Sequence, residues 1–265
     1  MVPSETPVAT VFNRSLRYGD GLFETMYWDG IRIRNEGFHM DRLFPGLEFL
    51  KFDLSDGFDR FYVLEEIKKI CLLNAMSHPA RIRLNVYRED GSQLGPKSDK
   101  PVFIIESANI LSHNDGPVRL TIYHEEKKFA GKLSNLKTNN YLLSILAYQY
   151  ACSAGFDDGL ILNHRGDVCE AVSSNLFMIQ KGIIYTPSLS EGSVAGTKRR
   201  EVIETLPDLG FQVEETNITL SKLWEMDEVF LTNAIRGVRP VSEIDGQNYQ
   251  IELGQIIKRI LDSKL

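Results

Sequence analysis

Two residues carry the first chemical suggestion in this chain. Lys137 lies in Leu136-Lys-Thr-Asn-Asn140, and Glu170 lies in Val168-Cys-Glu-Ala-Val172. The stretch after the lysine, Tyr141-Leu-Leu-Ser-Ile-Leu-Ala147, is apolar on most sides. The sequence therefore predicts a buried helix from Thr138 or Asn139 to Ala154, stopped by Gly155, with Lys137 at its mouth. An amine in such a place loses hydration, which favours the neutral form that attacks a carbonyl carbon. Glu170 falls in a strand, where a buried carboxylate needs a cationic partner, and a protonated ring nitrogen is one. Alone, each residue reads equally as an exposed lysine or a solvent-facing strand glutamate.

Pyridoxal phosphate is the cofactor that would use both. It needs a lysine to form an imine and move protons at the substrate carbon, and a carboxylate to keep its pyridine nitrogen protonated. Its phosphate needs backbone N–H groups, often at a helix start, plus a cation. Ser193-Val-Ala-Gly-Thr197-Lys198 opens a helix with small residues, which suits an anion resting on the amides of Thr197 and Lys198. An ordinary N-cap explains the same residues. Arg42, on the inner edge of an amphipathic helix, offers the cation, although arginines on such helices are usually surface residues.

The totals narrow the class. A net charge of −6 supplies no basic excess for a nucleic acid. Cys71, Cys152 and Cys169 are scattered and show no metal-type spacing, which reads as a reduced, cytoplasmic chain without a metal centre. The first residues carry no charged and apolar leader pattern, so no signal peptide is expected, and no apolar run is long enough for a membrane helix.

Short strand-like runs occupy 8–35, with Asp29-Gly30 as a hairpin signal and Gly19-Asp-Gly21 as a sharp turn. Two amphipathic helices and two strands, Ala80–Arg88 and Lys100–Ala108, complete a compact α+β unit over 1–108. Residues 109–117 have linker composition, and 118–265 form the larger domain with the lysine. Within it, DGLILN, VCEAVSSNLFMI and IIYTP predict a meander, followed by a helix from about Gly196, a strand EVFLTN, a loop AIRGVRPV and a closing helix.

Seven segments, in order along nearly the whole chain, resemble the class IV aminotransferases, the fold-type IV pyridoxal-phosphate enzymes. They are Tyr18–Thr25, His39–Leu43, Leu136–Asn140, Glu170–Phe177, Tyr185–Pro187, Gly196–Arg199 and Leu231–Ala234. The resemblance implies a D-amino-acid-aminotransferase-like fold, with a small two-layer domain, a larger pseudo-barrel domain and the cofactor between them, in a homodimer. It implies Lys137 as the imine lysine, Glu170 as the ring-nitrogen partner and Arg42 as the phosphate arginine. Thr197, Lys198 and the Asn233-Ala234 turn would complete the phosphate cup, with Ala234 lacking the hydroxyl that branched-chain enzymes carry there.

For the substrate, a small carboxylated amine, the resemblance marks Arg83 as a carboxylate grip and Phe23 where D-amino-acid enzymes have a tyrosine. Arg236 and Arg239 add cations near the cofactor loop, which suits more than one carboxylate. The loop after Arg88 offers Gln93 and Lys97 where lyases and D-amino-acid enzymes place a second arginine. The short Lys-Thr-Asn-Asn spacing resembles lyases and D-amino-acid enzymes rather than branched-chain enzymes, and Phe23 counts against the D-amino-acid branch. The expectation is aminodeoxychorismate lyase, with an amino-acid transaminase of branched-chain or D-amino-acid type as the alternative.

Overall fold

The computed structural model describes residues 6, 8–76, 78–91, 94–110 and 116–263. The chain divides into two compact units. The smaller comprises the described residues up to Ile110 together with Lys137–Asn140; the larger comprises the rest.

In the smaller unit, Asn13 caps the short helix α1 (Arg14–Tyr18) by accepting the Leu16 N–H at 2.8 Å. Residues 8–12, expected as a strand, form no strand, and the following NRSLRY is helical because that asparagine oxygen satisfies an orphan amide. Strand β1 (Gly21–Trp28), helices α2 (Glu36–Phe49) and α3 (Arg60–Leu73), and strands β2 (Ala80–Arg88) and β3 (Pro101–Asn109) follow. The strands pair antiparallel in the order β1-β2-β3. Of the expected IRIR strand, Ile33 alone bridges back, to Trp28.

Alternation along the strands sorts the side chains. Leu22, Glu24, Met26 and Trp28 are buried together with Ile82, Leu84 and Val86, on the face against which α2 lies. Phe23, Thr25 and Tyr27 point the other way. The turn before β1 is clamped: Asp20 accepts from Arg14 Nε at 2.8 Å and from Arg88 Nη1 at 2.6 Å. Gly21 has no room for a side chain, since a Cβ there would lie 2.5 Å from the Val86 carbonyl oxygen.

That turn captures the lysine segment. The Phe23 N–H donates to the Lys137 carbonyl at 2.9 Å, the Asn139 N–H donates to the Gly21 carbonyl at 3.0 Å, and Leu22 bridges Thr138. Residues 138–141 are therefore not the first turn of a helix, as the sequence predicted. The Lys137 carbonyl and the Asn139 amide pair with β1, and Lys137 belongs with the smaller unit although the sequence set it in the larger domain.

In the larger unit, β4 (Val118–Lys128), α4 (Lys132–Asn135) and α5 (Leu142–Ser153) lead into β5 (Asp158–Asn163), β6 (Val168–Ala171), β7 (Asn175–Gln180) and β8 (Ile183–Pro187). Helix α6 (Thr197–Thr205), β9 (Val213–Thr216), α7 (Leu220–Trp224), β10 (Glu228–Asn233), β11 (Gly237–Ile244), β12 (Gln247–Asn248) and α8 (Glu252–Ser263) complete it. Among the described residues these strands form one mixed sheet in the order β6-β5-β4-β11-β10-β7-β8-β9, with β12 on β11. The expected loop AIRGVRPV is mostly strand, and VCEAVSSNLFMI is two strands.

Consecutive residues of β7 and β10 enter different cores. Leu176, Met178, Val229 and Leu231 join one cluster, while Phe177, Ile179 and Phe230 join another with Val202, Ile257 and Leu261. Both faces are covered, which is why these strands read as unbroken apolar runs. Helix α5 differs from expectation: Ala147 and Ala151 are buried, but Leu142, Ile145, Leu146, Tyr148 and Tyr150 are exposed.

Candidate active site

In the smaller unit, Phe23 is the centre of a cationic group. Its ring has the Lys137 Nζ 4.5 Å from its centroid and the Arg83 guanidinium carbon at 4.0 Å. Arg83 also donates to Asn85 Oδ1 at 3.3 Å, and Asn85 is the residue paired with Phe23 across the ladder. Lys137 is thus fixed at both ends, its carbonyl by the Phe23 amide and its amine over the Phe23 ring. An aromatic face attracts a cation without occupying its N–H donors.

On the opposite face of β1, Glu24 is almost fully buried. Arg42 Nε donates to Glu24 Oε1 at 2.7 Å, Arg42 Nη2 pairs with Oε2, and His39 Nδ1 lies 2.7 Å from the same Oε2. Burial pushes the Glu24 carboxyl up, but Arg42 and His39 together overcome it and hold the group down at about 2. Burial pushes His39 down, and the Arg42 and Lys137 cations push the same way against the pull of Glu24. The fork to Glu24 fixes the plane of the Arg42 guanidinium. Sequence reasoning saw Arg42 and missed both residues that hold it. The signal was there in Phe-Glu-Thr and in His39-Met-Asp-Arg42, where the i,i+3 spacing sets both side chains on one helix face.

In the larger unit, Glu170 sits on β6. Lys128 Nζ donates to its Oε1 at 2.5 Å, and the Val194 N–H donates to its Oε2 at 2.8 Å. Lys128 in turn donates to the Ser134 carbonyl at 3.1 Å. Lys128 was missed because it reads as one more charge in Glu125-Glu-Lys-Lys128. Only the irregular pairing of β4 with β5 beyond Tyr123, which sets Lys128 opposite Asn163, carries it inward.

Thr197 and Lys198 open α6 behind Gly196, which makes no side-chain cap. The first helical bond is that of the Arg200 N–H to the Gly196 carbonyl, so the amides of Thr197, Lys198 and Arg199 have no acceptor within the helix. The Lys198 amine is held by Glu201 at 3.0 Å. A Cβ at Gly196 would lie 1.9 Å from Asn175 Oδ1, so a side chain there would force Asn175 to move. Asn175 pairs across the sheet with Thr232, whose hydroxyl is buried and has no hydrogen-bond partner among the described residues. The Ser193 hydroxyl is in the same condition.

Asn233 Oδ1 accepts from the amides of Ile235 at 3.0 Å and Arg236 at 2.7 Å, and its Nδ2 donates to Ser174. The asparagine therefore shapes its own turn, and the two amides after Ala234 are already engaged. Arg236 is exposed. The neighbouring Asp158 is buried; burial raises its carboxyl to about 6, although it accepts from the amides of Gly159 and Val172 and feels Arg239 and Arg236. Lys97 is exposed, and Gln93 lies outside the described residues. Among the described residues no cluster suits a metal ion, and no helix is long and apolar enough to cross a membrane.

Residues 21–244 match the family model for amino-transferase class IV. The chain belongs to that family. Aminodeoxychorismate lyase of Vibrio harveyi is 28% identical over 94% of this chain and 92% of its own length. The branched-chain aminotransferase of Thermoproteus uzoniensis, solved with norvaline, superposes with a TM-score of 0.90 at 26% identity, over 98% of this chain and 90% of the other. The 4-amino-4-deoxychorismate lyase of Pseudomonas aeruginosa gives 0.87 at 26% identity, over 98% and 96%.

The fold is the mixed α+β fold of this family, with a small sheet and a larger sheet of half-barrel type. Members are pyridoxal-phosphate enzymes, and so is this chain. The residues present fit that cofactor. They supply a lysine held on an aromatic ring, a carboxylate fixed by a cation and an amide, and a bare helix start beside a buried hydroxyl without a partner.

Proposed function

We propose that the chain is an aminodeoxychorismate lyase, removing pyruvate and releasing 4-aminobenzoate, a step toward folate in the cytoplasm. What supports this most is the group at Phe23. Lys137 and Arg83 share one ring, which supports an imine-forming amine and a carboxylate grip acting side by side. A transaminase is the second reading, supported by the likeness to the branched-chain aminotransferase, which extends over almost the whole chain.

When bound, pyridoxal phosphate supplies an electron sink for the bond broken at the substrate. Lys137 is the residue proposed to hold the aldehyde carbon, then to take the proton from the substrate ring and return one to the departing enolate. Glu170 would hold the ring nitrogen, its carboxylate fixed by Lys128 and the Val194 amide. The amides of Thr197 and Lys198, the turn at Asn233 and Ala234, and Arg42 oriented by Glu24 would hold the phosphate. Arg83 would grip a substrate carboxylate against Phe23, with Arg236 as a further cation.

We also read the apolar outer face of α5 as a homodimer contact. Leu142 is 64% and Ile145 48% exposed, more than an isolated soluble unit ordinarily leaves on one helix. Light scattering would show twice the chain mass, and Ile145→Glu would shift it toward one.

The deciding experiment incubates the purified enzyme with aminodeoxychorismate and with a panel of amino acids. Pyruvate is read through a coupled dehydrogenase, and the cofactor spectrum is followed in parallel. Pyruvate release without cofactor amination supports the lyase. Amination by common amino acids with no pyruvate from aminodeoxychorismate would reverse the order.

A further inference from the structure

A second arginine–aromatic pair stands on the same face of the small sheet as Lys137 and Arg83. Phe23, Thr25 and Tyr27 alternate with the buried Leu22, Glu24, Met26 and Trp28, so they share one face, and the ladder puts Asn85, Arg83 and Arg81 beside them. After Trp28 the chain turns back at Ile33, and the Arg34 N–H donates to the Tyr27 carbonyl at 2.9 Å. The Arg34 guanidinium carbon then lies 4.0 Å from the Tyr27 ring centroid.

Arg34 is felt by Asp29 only through space, with no hydrogen bond between the two side chains. Its Nε is buried with no hydrogen-bond partner, and it forms no ion pair among the described residues. Glu36, the acid nearest in sequence, is exposed at the start of α2, and Asp29 is engaged: its Oδ1 accepts from the amides of Ile31 and Arg32 at 2.8 Å, and its Oδ2 lies 3.7 Å from Arg32 Nε. The one acid that the ladder places on this face, Glu106 opposite Arg83, is exposed. A guanidinium stacked on a ring keeps its planar fork of donors available, and that fork matches a carboxylate. A desolvated N–H with no acceptor is costly unless a ligand supplies one.

We infer that Arg34 on Tyr27 is a specificity-determining position that binds the distal carboxylate of a substrate gripped at its other end by Arg83. The inference deepens the proposed reaction and rests on Lys137 and Arg83 marking the reacting end. Phe23 and Tyr27 are four residues apart on one strand, roughly 13 Å at the backbone, a distance that the two long arginine side chains can shorten by leaning inward. The substrate class is therefore an amine with two carboxylates several bonds apart, rather than one with a purely aliphatic side chain.

The test needs no turnover. Holoenzyme is titrated calorimetrically with the unreactive dicarboxylates glutarate, adipate and pimelate, and with monocarboxylates of the same lengths. Arg34→Met keeps the apolar stem and should weaken the better dicarboxylates by ~10- to 100-fold, the range of one charge-assisted hydrogen-bond pair. Monocarboxylates should change less than about twofold, since they lack the group that Arg34 would bind. Arg34→Lys, which keeps charge and loses the fork, should fall between, and it decides the matter if the methionine variant does not fold. Equal weakening of both ligand series, an unchanged dicarboxylate affinity, or no dicarboxylate binding by the parent would each overturn the inference. Because binding alone is read, a failure here is distinct from a failure to trap Lys137.

Discussion

The two units treat buried charge in opposite ways. In the smaller, the cations proposed to act rest on rings: Lys137 and Arg83 on Phe23, and Arg34 on Tyr27. In the larger, the carboxylate proposed to hold the cofactor rests on hard partners, Glu170 being held by an ammonium and an amide. A ring steadies a cation while leaving its donors for a ligand, so the first arrangement suits groups that must bind and let go. A salt bridge and an amide fix a carboxylate in place, which suits a group meant to stay put throughout the proposed reaction.

Buried carboxylates divide along the same line. Glu24 has the Arg42 cation and the His39 ring as partners and is held at about 2, whereas Asp158 has amides as its direct donors and is raised to about 6. The sign of their contribution to stability is therefore opposite. Glu24 stabilises the fold fully above its ordinary value of 4.5, and this is lost as pH falls toward 2. Asp158 is tolerated best when protonated, so its unfavourable contribution grows as pH rises from 3.8 through about 6 and is constant beyond.

The contrast between ring-held cation and salt-bridged anion breaks most visibly at Lys137. Lys137→Ala should lower turnover on the order of 10³- to 10⁴-fold, and borohydride should then tag no peptide spanning that position. A tag elsewhere in the parent enzyme would remove the assignment. Next in size is Glu24→Gln, which leaves Arg42 facing a neutral amide. Thermal or urea unfolding at neutral pH should report a loss of about 3–5 kcal/mol, with a flattened acid limb below pH 4.5. An unchanged acid limb would mean that Glu24 is not the carboxylate titrating there.

Glu170→Gln should reduce turnover on the order of 10²-fold and shift the cofactor absorbance, while leaving its covalent attachment intact. Loss of attachment instead would make Glu170 a structural residue. The smallest effect belongs to Asp158→Asn. It should gain about 2 kcal/mol above pH 6, as expected from a shift of this direction, and nothing near pH 3.8. A gain of equal size at both pH values would show that packing rather than charge is responsible.

Much of the site was legible because its chemistry lies in short local strings. The motif residues of 39–43 and 196–199 sit on the helices that the sequence implied, and period-two and helical patterns located β1, α2, α3, β2 and β3 to within a few residues. What stayed hidden depended on pairing between distant segments. The pattern around Tyr141–Ala147 was read as a buried helix with the lysine at its mouth, because apolar composition cannot say which face another chain or element will cover.

By itself, the sequence determined the family, the cofactor and the α+β class, since these follow from residue types at fixed spacing. The tertiary structure alone decided which side chains hold the reactive ones. Residues 137–140 pair with β1 instead of starting α5, Lys128 turns in to Glu170 where the β4–β5 pairing becomes irregular, and Arg34 comes to Tyr27 through the bridge at Ile33. Each of these depends on backbone hydrogen bonds between segments far apart in sequence or across a turn, and no local pattern of side chains encodes that register.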